Sequence, residues 1–123
     1  MILGQVNPRT EAVIPVMVQD AGGDLLTHSA VVDTGFSGYM TLPPSTITGL
    51  QLPFLSSRVF SLGDNAQVNF DIYKATLLWD GRDRDIEVLA SEAHPLVGMS
   101  LLKGFRITID AVDGGEVRIE LRP

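Results

Sequence analysis

Val31-Val32-Asp33-Thr34-Gly35-Phe36-Ser37-Gly38 is the stretch on which the reading of this sequence turns. A carboxylate stands at the end of the apolar run Ala30-Val31-Val32 and is followed by a hydroxyl residue and a glycine. A short apolar run bounded by turn residues reads as a buried strand, so Asp33 is expected where a strand leaves the core. Asp-Thr-Gly alone is also what a turn with an Asx hydrogen bond looks like. Its meaning therefore depends on the rest of the chain.

Upstream, Ala12 to Val18 and Leu25 to Val32 are rich in Val, Ile and Leu and flank the turn Asp20-Ala21-Gly22-Gly23-Asp24, which predicts a hairpin over 12–32. Pro15 has no N–H to give to a ladder, so it predicts a local edge or bulge. Downstream come an apolar piece, Tyr39 to Leu42, and a short helical turn over Pro43 to Gly49, with proline at its start and glycine at its end. Arg58 to Leu62 and Gln67 to Leu78 flank Gly63-Asp64-Asn65-Ala66, residue types that suit a tight reversal and a second hairpin. Trp79 to Asp83 is expected to be a turn before a strand from Asp85 to Ala90, with the mixed charges of 79–85 solvated. Met99 to Lys103 is the best helical piece, about two turns, with Gly104 as its cap. Phe105 to Ile109 and Glu116 to Leu121 alternate on either side of Asp113-Gly114-Gly115. The pattern is all-β with one or two short helices.

Composition narrows the function. The 123 residues make one domain, 1–123. Nine basic against fifteen acidic residues give a net charge of −6, which argues against a phosphate-binding surface and hence against nucleic acid. The absence of cysteine removes disulfide frameworks, thiolate metal sites and a cysteine nucleophile, and suits a reducing, cytoplasmic location. No secretory signal is visible at Met1 to Gln5, and no apolar run is long enough to span a membrane. His28 and His94 lie far apart with no partner at ligand spacing, so no metal site is expected. Trp79, Phe105 and Tyr73 are read as packing residues.

The second informative string is Pro95-Leu96-Val97-Gly98-Met99-Ser100-Leu101-Leu102. With it, the chain resembles the retropepsin-like aspartic proteases, in particular their small single-lobed prokaryotic relatives. The order of parts is that family's: hairpin, Asp-Thr-Gly, flap hairpin, apolar-apolar-Gly opening a short helix, terminal strands. The resemblance implies a single-lobed closed barrel, expected as a two-fold homodimer, and an aspartic endopeptidase. Asp33, Thr34 and Gly35 would be catalytic, with Thr34 hydrogen-bonding across the two-fold axis. Phe36 and Ser37, with Gly63, Asp64, Asn65 and Ala66 of the flap, would touch an extended peptide or protein substrate. Leu96, Val97 and Gly98 would lie behind the catalytic loop, Gly98 where a side chain would collide with it. No metal or organic cofactor is implied, and neither nucleic acid nor a membrane is an expected partner.

The chemistry of such a site stands on its own physics. Without a metal or a covalent nucleophile, peptide hydrolysis needs a carboxylate to deprotonate water and an acid to protonate the leaving nitrogen. Two close carboxylates hold one proton between them because like charges cannot both ionise cheaply. Asp-Thr-Gly occurs once in this chain, and Asp80-Gly81 and Asp113-Gly114 lack the middle hydroxyl residue. The second aspartate must then come from a second copy, Asp33 facing Asp33. A shared proton predicts an acidic to mildly acidic rate optimum.

The chain also departs from the family. Phe36 stands where retroviral members usually carry alanine, and Ser37 and Met99 stand where those enzymes have an acid and an arginine that pair. The flap tip is less glycine-rich and carries Asp64. These departures leave a second reading, a dimeric peptide-binding or assembly module without turnover.

Overall fold

The computed structural model describes residues 1–61 and 64–123. The strands are β1 (Ile2–Val6), β2 (Ala12–Gln19), β3 (Leu25–Val32), β4 (Met40–Leu42), β5 (Phe54–Ser61), β6 (Gln67–Trp79), β7 (Arg82–Ala90), β8 (Leu96–Val97), β9 (Phe105–Ile109) and β10 (Glu116–Leu121). Two short helices, α1 (Pro44–Leu50) and α2 (Met99–Leu102), interrupt them. The predominantly β character read from the sequence is what the chain forms.

All ten strands join one sheet in the order β5-β6-β7-β4-β8-β3-β2-β1-β10-β9. A further pairing, Met17 with Leu78 and Val18 with Leu77, brings β2 back to β6. Following the pairings from β6 through β7, β4, β8, β3 and β2 therefore returns to β6. Side chains alternate across this ring. In β2, Ile14, Val16 and Val18 are buried while Pro15 and Met17 are exposed. Leu77, Val88, Val97, Leu101, Val117 and Ile119 meet them in the same core. Full burial of a side chain of this size is worth about 1.5 to 3 kcal/mol relative to exposure, so the inner face holds the ring together. Pro15 falls between the residues of β2 held by β1 (Ala12, Val13) and those held by β6 (Met17, Val18), where that edge carries no partner strand.

The long strand β6 changes its covered face half-way. Toward the hairpin tip the inward positions are Val68, Phe70 and Ile72; toward the base they are Ala75, Leu77 and Trp79. β5 and the outer half of β6 thus project as an arm whose outer edge strand, β5, is almost wholly exposed.

Several sequence expectations are corrected. The stretch from Trp79 to Asp85 is not one solvated turn: only Asp80 and Gly81 turn, both at positive φ (51° and 79°), as a two-residue hairpin loop with matched twist requires. Trp79 already pairs with Arg82, is 3% exposed and meets the Phe105 ring edge-on at 5.9 Å. β7 accordingly begins three residues before the predicted Asp85. α2 is one turn instead of about two, because Lys103 is already extended (ψ 129°) and Gly104 is left-handed (φ 90°). β5 starts at Phe54, ahead of the predicted Arg58, and β1 and β8 are strands that the sequence pattern does not predict. Among the described residues no helix is long and apolar enough to cross a membrane.

Candidate active site

Asp33 is the first residue beyond β3, and its backbone continues the parallel pairing of β3 with β8. Val31 and Val32 align with Leu96 and Val97, the Val31 N–H donates to Pro95 O, and the Asp33 N–H donates to Val97 O at 2.9 Å. A parallel neighbour covered on both faces holds the strand end rigidly, so the carboxylate leaves a fixed base. The loop then closes on itself. The Gly35 N–H donates to Asp33 Oδ1 at 2.9 Å, and the Phe36 N–H donates to Asp33 O at 3.2 Å. Asp33 is half-buried, while Thr34 and Gly35 are exposed.

The remainder of the loop is tied to the start of α2. The first amides of a helix have no partner inside it, and here two of them serve the loop: the Met99 N–H donates to Phe36 O at 2.8 Å and the Ser100 N–H to Gly38 O at 3.1 Å. The Ser100 hydroxyl donates to Ser37 O at 2.5 Å, and the Gly98 N–H donates to Tyr39 O at 2.9 Å. This approach leaves no room at Gly98. A Cβ there would stand 2.3 Å from Gly38 O, 2.5 Å from the Phe36 ring and 2.7 Å from Phe36 O. One at Gly38 would meet the same ring at 2.5 Å. The Phe36 ring therefore occupies a niche formed by two glycines sixty residues apart in sequence.

Leu96 is half-buried and Val97 fully buried behind the loop, so Asp33, Thr34, Gly35, Phe36, Ser37, Leu96, Val97 and Gly98 are gathered at one place. The flap-tip residues are not part of that cluster in the single chain. Asp64, Asn65 and Ala66 are exposed at the end of the β5–β6 arm, where the Ala66 N–H donates to Asp64 Oδ1 at 3.0 Å and Asn65 takes a left-handed φ of 66°. Gly63, expected in the same turn, lies outside the described residues. Below the tip, Phe60 and Phe70 meet edge-on at 5.4 Å. Arg58 forks onto Glu87 of β7 at 2.6 and 2.9 Å, and that hydrogen bond and charge raise its pKa. Asp33 lines neither of two concavities of about 510 and 580 Å³, although Tyr39, at the end of its loop, lines the first.

Four residues that the sequence reading passed over support the loop. The Thr41 hydroxyl, 6% exposed, accepts from the Leu96 N–H at 3.0 Å and ties β4 to β8. Ser100 and Tyr39 make the contacts above. Arg84 donates to Leu101 O at 2.7 Å and Ser100 O at 3.2 Å and lies 5.8 Å from the centre of the Tyr39 ring. Thr41 carried a faint signal, as a lone hydroxyl inside an apolar run; Arg84 carried a misleading one, sitting in a stretch of mixed charge. Among the described residues no group of three or more His, Asp or Glu side chains is placed to hold a metal ion.

Searches against protein families and against curated proteins return no match. A comparison with solved structures does. The solution structure of simian foamy virus (mac) protease superposes with a TM-score of 0.51, covering 72% of this chain and 90% of that one. The fold is retropepsin-like. At 21% identity the likeness concerns architecture, and the retropepsin-like fold here carries its Asp-Thr-Gly loop where β3 meets β8 and α2.

Proposed function

We propose that this chain is an aspartic endopeptidase of the small single-lobed prokaryotic type, formed by residues 1–123 as one closed-barrel domain and active as a two-fold homodimer. The observation that carries the proposal is the anchoring of Asp33. Its carboxylate sits at a strand end on a loop fixed by five backbone and side-chain bonds to the segment Val97–Ser100 of β8 and α2, on a retropepsin-like fold. Electrostatic and acid–base catalysis depends on that kind of preorganisation, because a group that need not reorganise loses nothing during reaction.

In this reading the Asp33 carboxylates of two copies face one another and share a proton. The ionised member takes a proton from water, the water oxygen adds to the scissile carbonyl, and the protonated member gives its proton to the departing nitrogen. Thr34 and Gly35, exposed next to each carboxylate, complete the catalytic loop, and Phe36 and Ser37 flank the path of the peptide. The β5–β6 arms, with Gly63, Asp64, Asn65 and Ala66 at their tips, close over an extended substrate, for which backbone hydrogen bonding is the natural mode of recognition. The carboxylates suffice for the chemistry without a metal or cofactor. A reducing cytoplasm suits a chain without cysteine.

The test is incubation of the concentrated protein with casein from about pH 4 to about pH 9, alongside Asp33→Asn. Asparagine keeps an Oδ1 acceptor for the Gly35 N–H, so the variant should retain the fold. Cleavage by the wild type, fastest on the acid side, and none by Asp33→Asn is the expected result. Equal cleavage by both would overturn the mechanism, and peptide binding without cleavage by either would select the non-catalytic module.

A further inference from the structure

Arg84 is a cation on the wrong side of its strand. It shares the inward face of β7 with the buried Ile86 and Val88 and is aligned with the fully buried Leu77 of β6. Charged side chains at such positions carry a desolvation cost unless they find strong partners. Arg84 finds backbone carbonyls, donating to Leu101 O at 2.7 Å and to Ser100 O at 3.2 Å, with the Tyr39 ring against its guanidinium at 5.8 Å.

The position of these acceptors gives Arg84 its meaning. α2 has four residues, so each of its carbonyls belongs to the terminal set that has no partner within a helix. One turn is too short to be stable by itself, since the nucleation cost is not repaid by propagation. Yet this turn supplies the Met99 and Ser100 amides that hold Phe36 O and Gly38 O, and the hydroxyl that holds Ser37 O. Arg84 binds the opposite end of the same turn, where a cation also complements the peptide dipoles. Its ring contact, Tyr39, is the residue at which the Asp33 loop ends, and Tyr39 O accepts the Gly98 N–H.

We infer that Arg84 is the positioning residue of the Asp33 loop: by clamping α2 from β7 it keeps the Met99 and Ser100 amides in place to hold the loop, and with it the Asp33 carboxylate. The catalytic part of this inference rests on the endopeptidase reading, whereas the ordering of the loop does not. A guanidinium is required because two separate carbonyls and a ring face are engaged at once, and a lysine ammonium offers neither the fork nor the plane.

The experiment compares wild type, Arg84→Met, Arg84→Lys and Asp33→Asn in full-length protein by amide hydrogen exchange and by peptide cleavage. Methionine keeps an apolar stem on an apolar face, and lysine retains the charge should methionine fail to fold. In Arg84→Met, exchange at Met99 and Ser100 should accelerate at least about tenfold while β9–β10 amides stay unchanged. kcat should fall about ten- to a hundredfold with KM little altered, the signature of a misplaced reacting group. Arg84→Lys should fall between, and millimolar guanidinium ion should restore part of the Arg84→Met loss. Unchanged exchange at Met99 and Ser100, or a lowered melting temperature with kcat intact, would overturn the inference. If the wild type cleaves nothing, the endopeptidase reading fails and the exchange result alone decides the clamp.

Discussion

Adding one methyl group at Gly98 should be among the most damaging small changes in this protein. The backbone there is extended (φ −106°), so alanine brings no conformational strain and the entire effect is steric. The new Cβ would stand 2.3 Å from Gly38 O and 2.7 Å from Phe36 O, against ordinary contact at 3.4 Å and beyond. Two of its three close neighbours are backbone oxygens, which cannot rotate away as the end of a side chain can. Loop and helix must separate by about 1 Å, which stretches the bonds from Met99 and Ser100 to the loop past useful length. Losing two or three such bonds at about 1 kcal/mol each, together with about 1 to 3 kcal/mol for overpacking, gives a loss of about 3 to 5 kcal/mol. In a chain of this size that corresponds to a fall in Tm of about 12 to 20 °C. The single tryptophan, Trp79, is buried, so urea unfolding followed by its fluorescence reads the change directly. Gly49→Ala is the control: Gly49 lies in α1 with nothing within 4 Å of the place its methyl would take, and alanine there should gain about 0.5 to 1 kcal/mol. A Gly98→Ala protein within about 0.5 kcal/mol of wild type would refute the claim that the loop is locked onto α2.

Two further changes probe the surroundings of the site. Thr41→Val preserves shape but leaves the Leu96 N–H without its acceptor; an unpaired buried donor costs about 1 to 3 kcal/mol, to be measured as a lowered urea midpoint, and no loss would show that β8 does not depend on Thr41. His28 faces inward beside Val16, its Nε2 is buried without a partner, and burial lowers its pKa from the usual 6.5. The unfolded chain therefore binds this proton at higher pH than the folded chain does. The stability of wild type relative to His28→Leu should be constant above about pH 7 and should decline as the pH falls through 6.5 toward the lowered value. A difference that grows more favourable to wild type on acidification would reverse the assigned sign.

The sequence is most legible where a run of β-forming residues is bounded by turn residues on both sides. The boundaries of β3, β9 and β10 coincide with the predicted Leu25 to Val32, Phe105 to Ile109 and Glu116 to Leu121, because glycine- and aspartate-bearing turns mark where these strands begin or end. The position of Asp33 at a strand end follows from the same pattern. β8 escapes because two residues have no period; it exists through its alignment with Val31 and Val32 of β3 and the bond that Asp33, just beyond that strand, donates to Val97 O. β1 is short and its apolar pattern is interrupted by Gly4 and Gln5, and its identity as a strand comes from β2 and β10 on its two sides. The niche of Phe36 needs Gly38 and Gly98 together, a pairing visible only once β3 and β8 are side by side. Arg84 is hidden for the opposite reason: its local sequence signals solvent, and only the short loop at Asp80 and Gly81 puts it on the inner face of β7.

In the proposed endopeptidase one chain holds half of a catalytic pair. This is tested most directly by mixing wild type with Asp33→Asn at constant total concentration, after subunit exchange, and following casein cleavage. If each site needs Asp33 from both copies, only dimers of two wild-type chains work. An equal mixture should then retain about one quarter of the wild-type rate, and the rate should follow the square of the wild-type fraction. A rate of about one half, linear in the wild-type fraction, would mean that each chain works alone and would contradict the shared site.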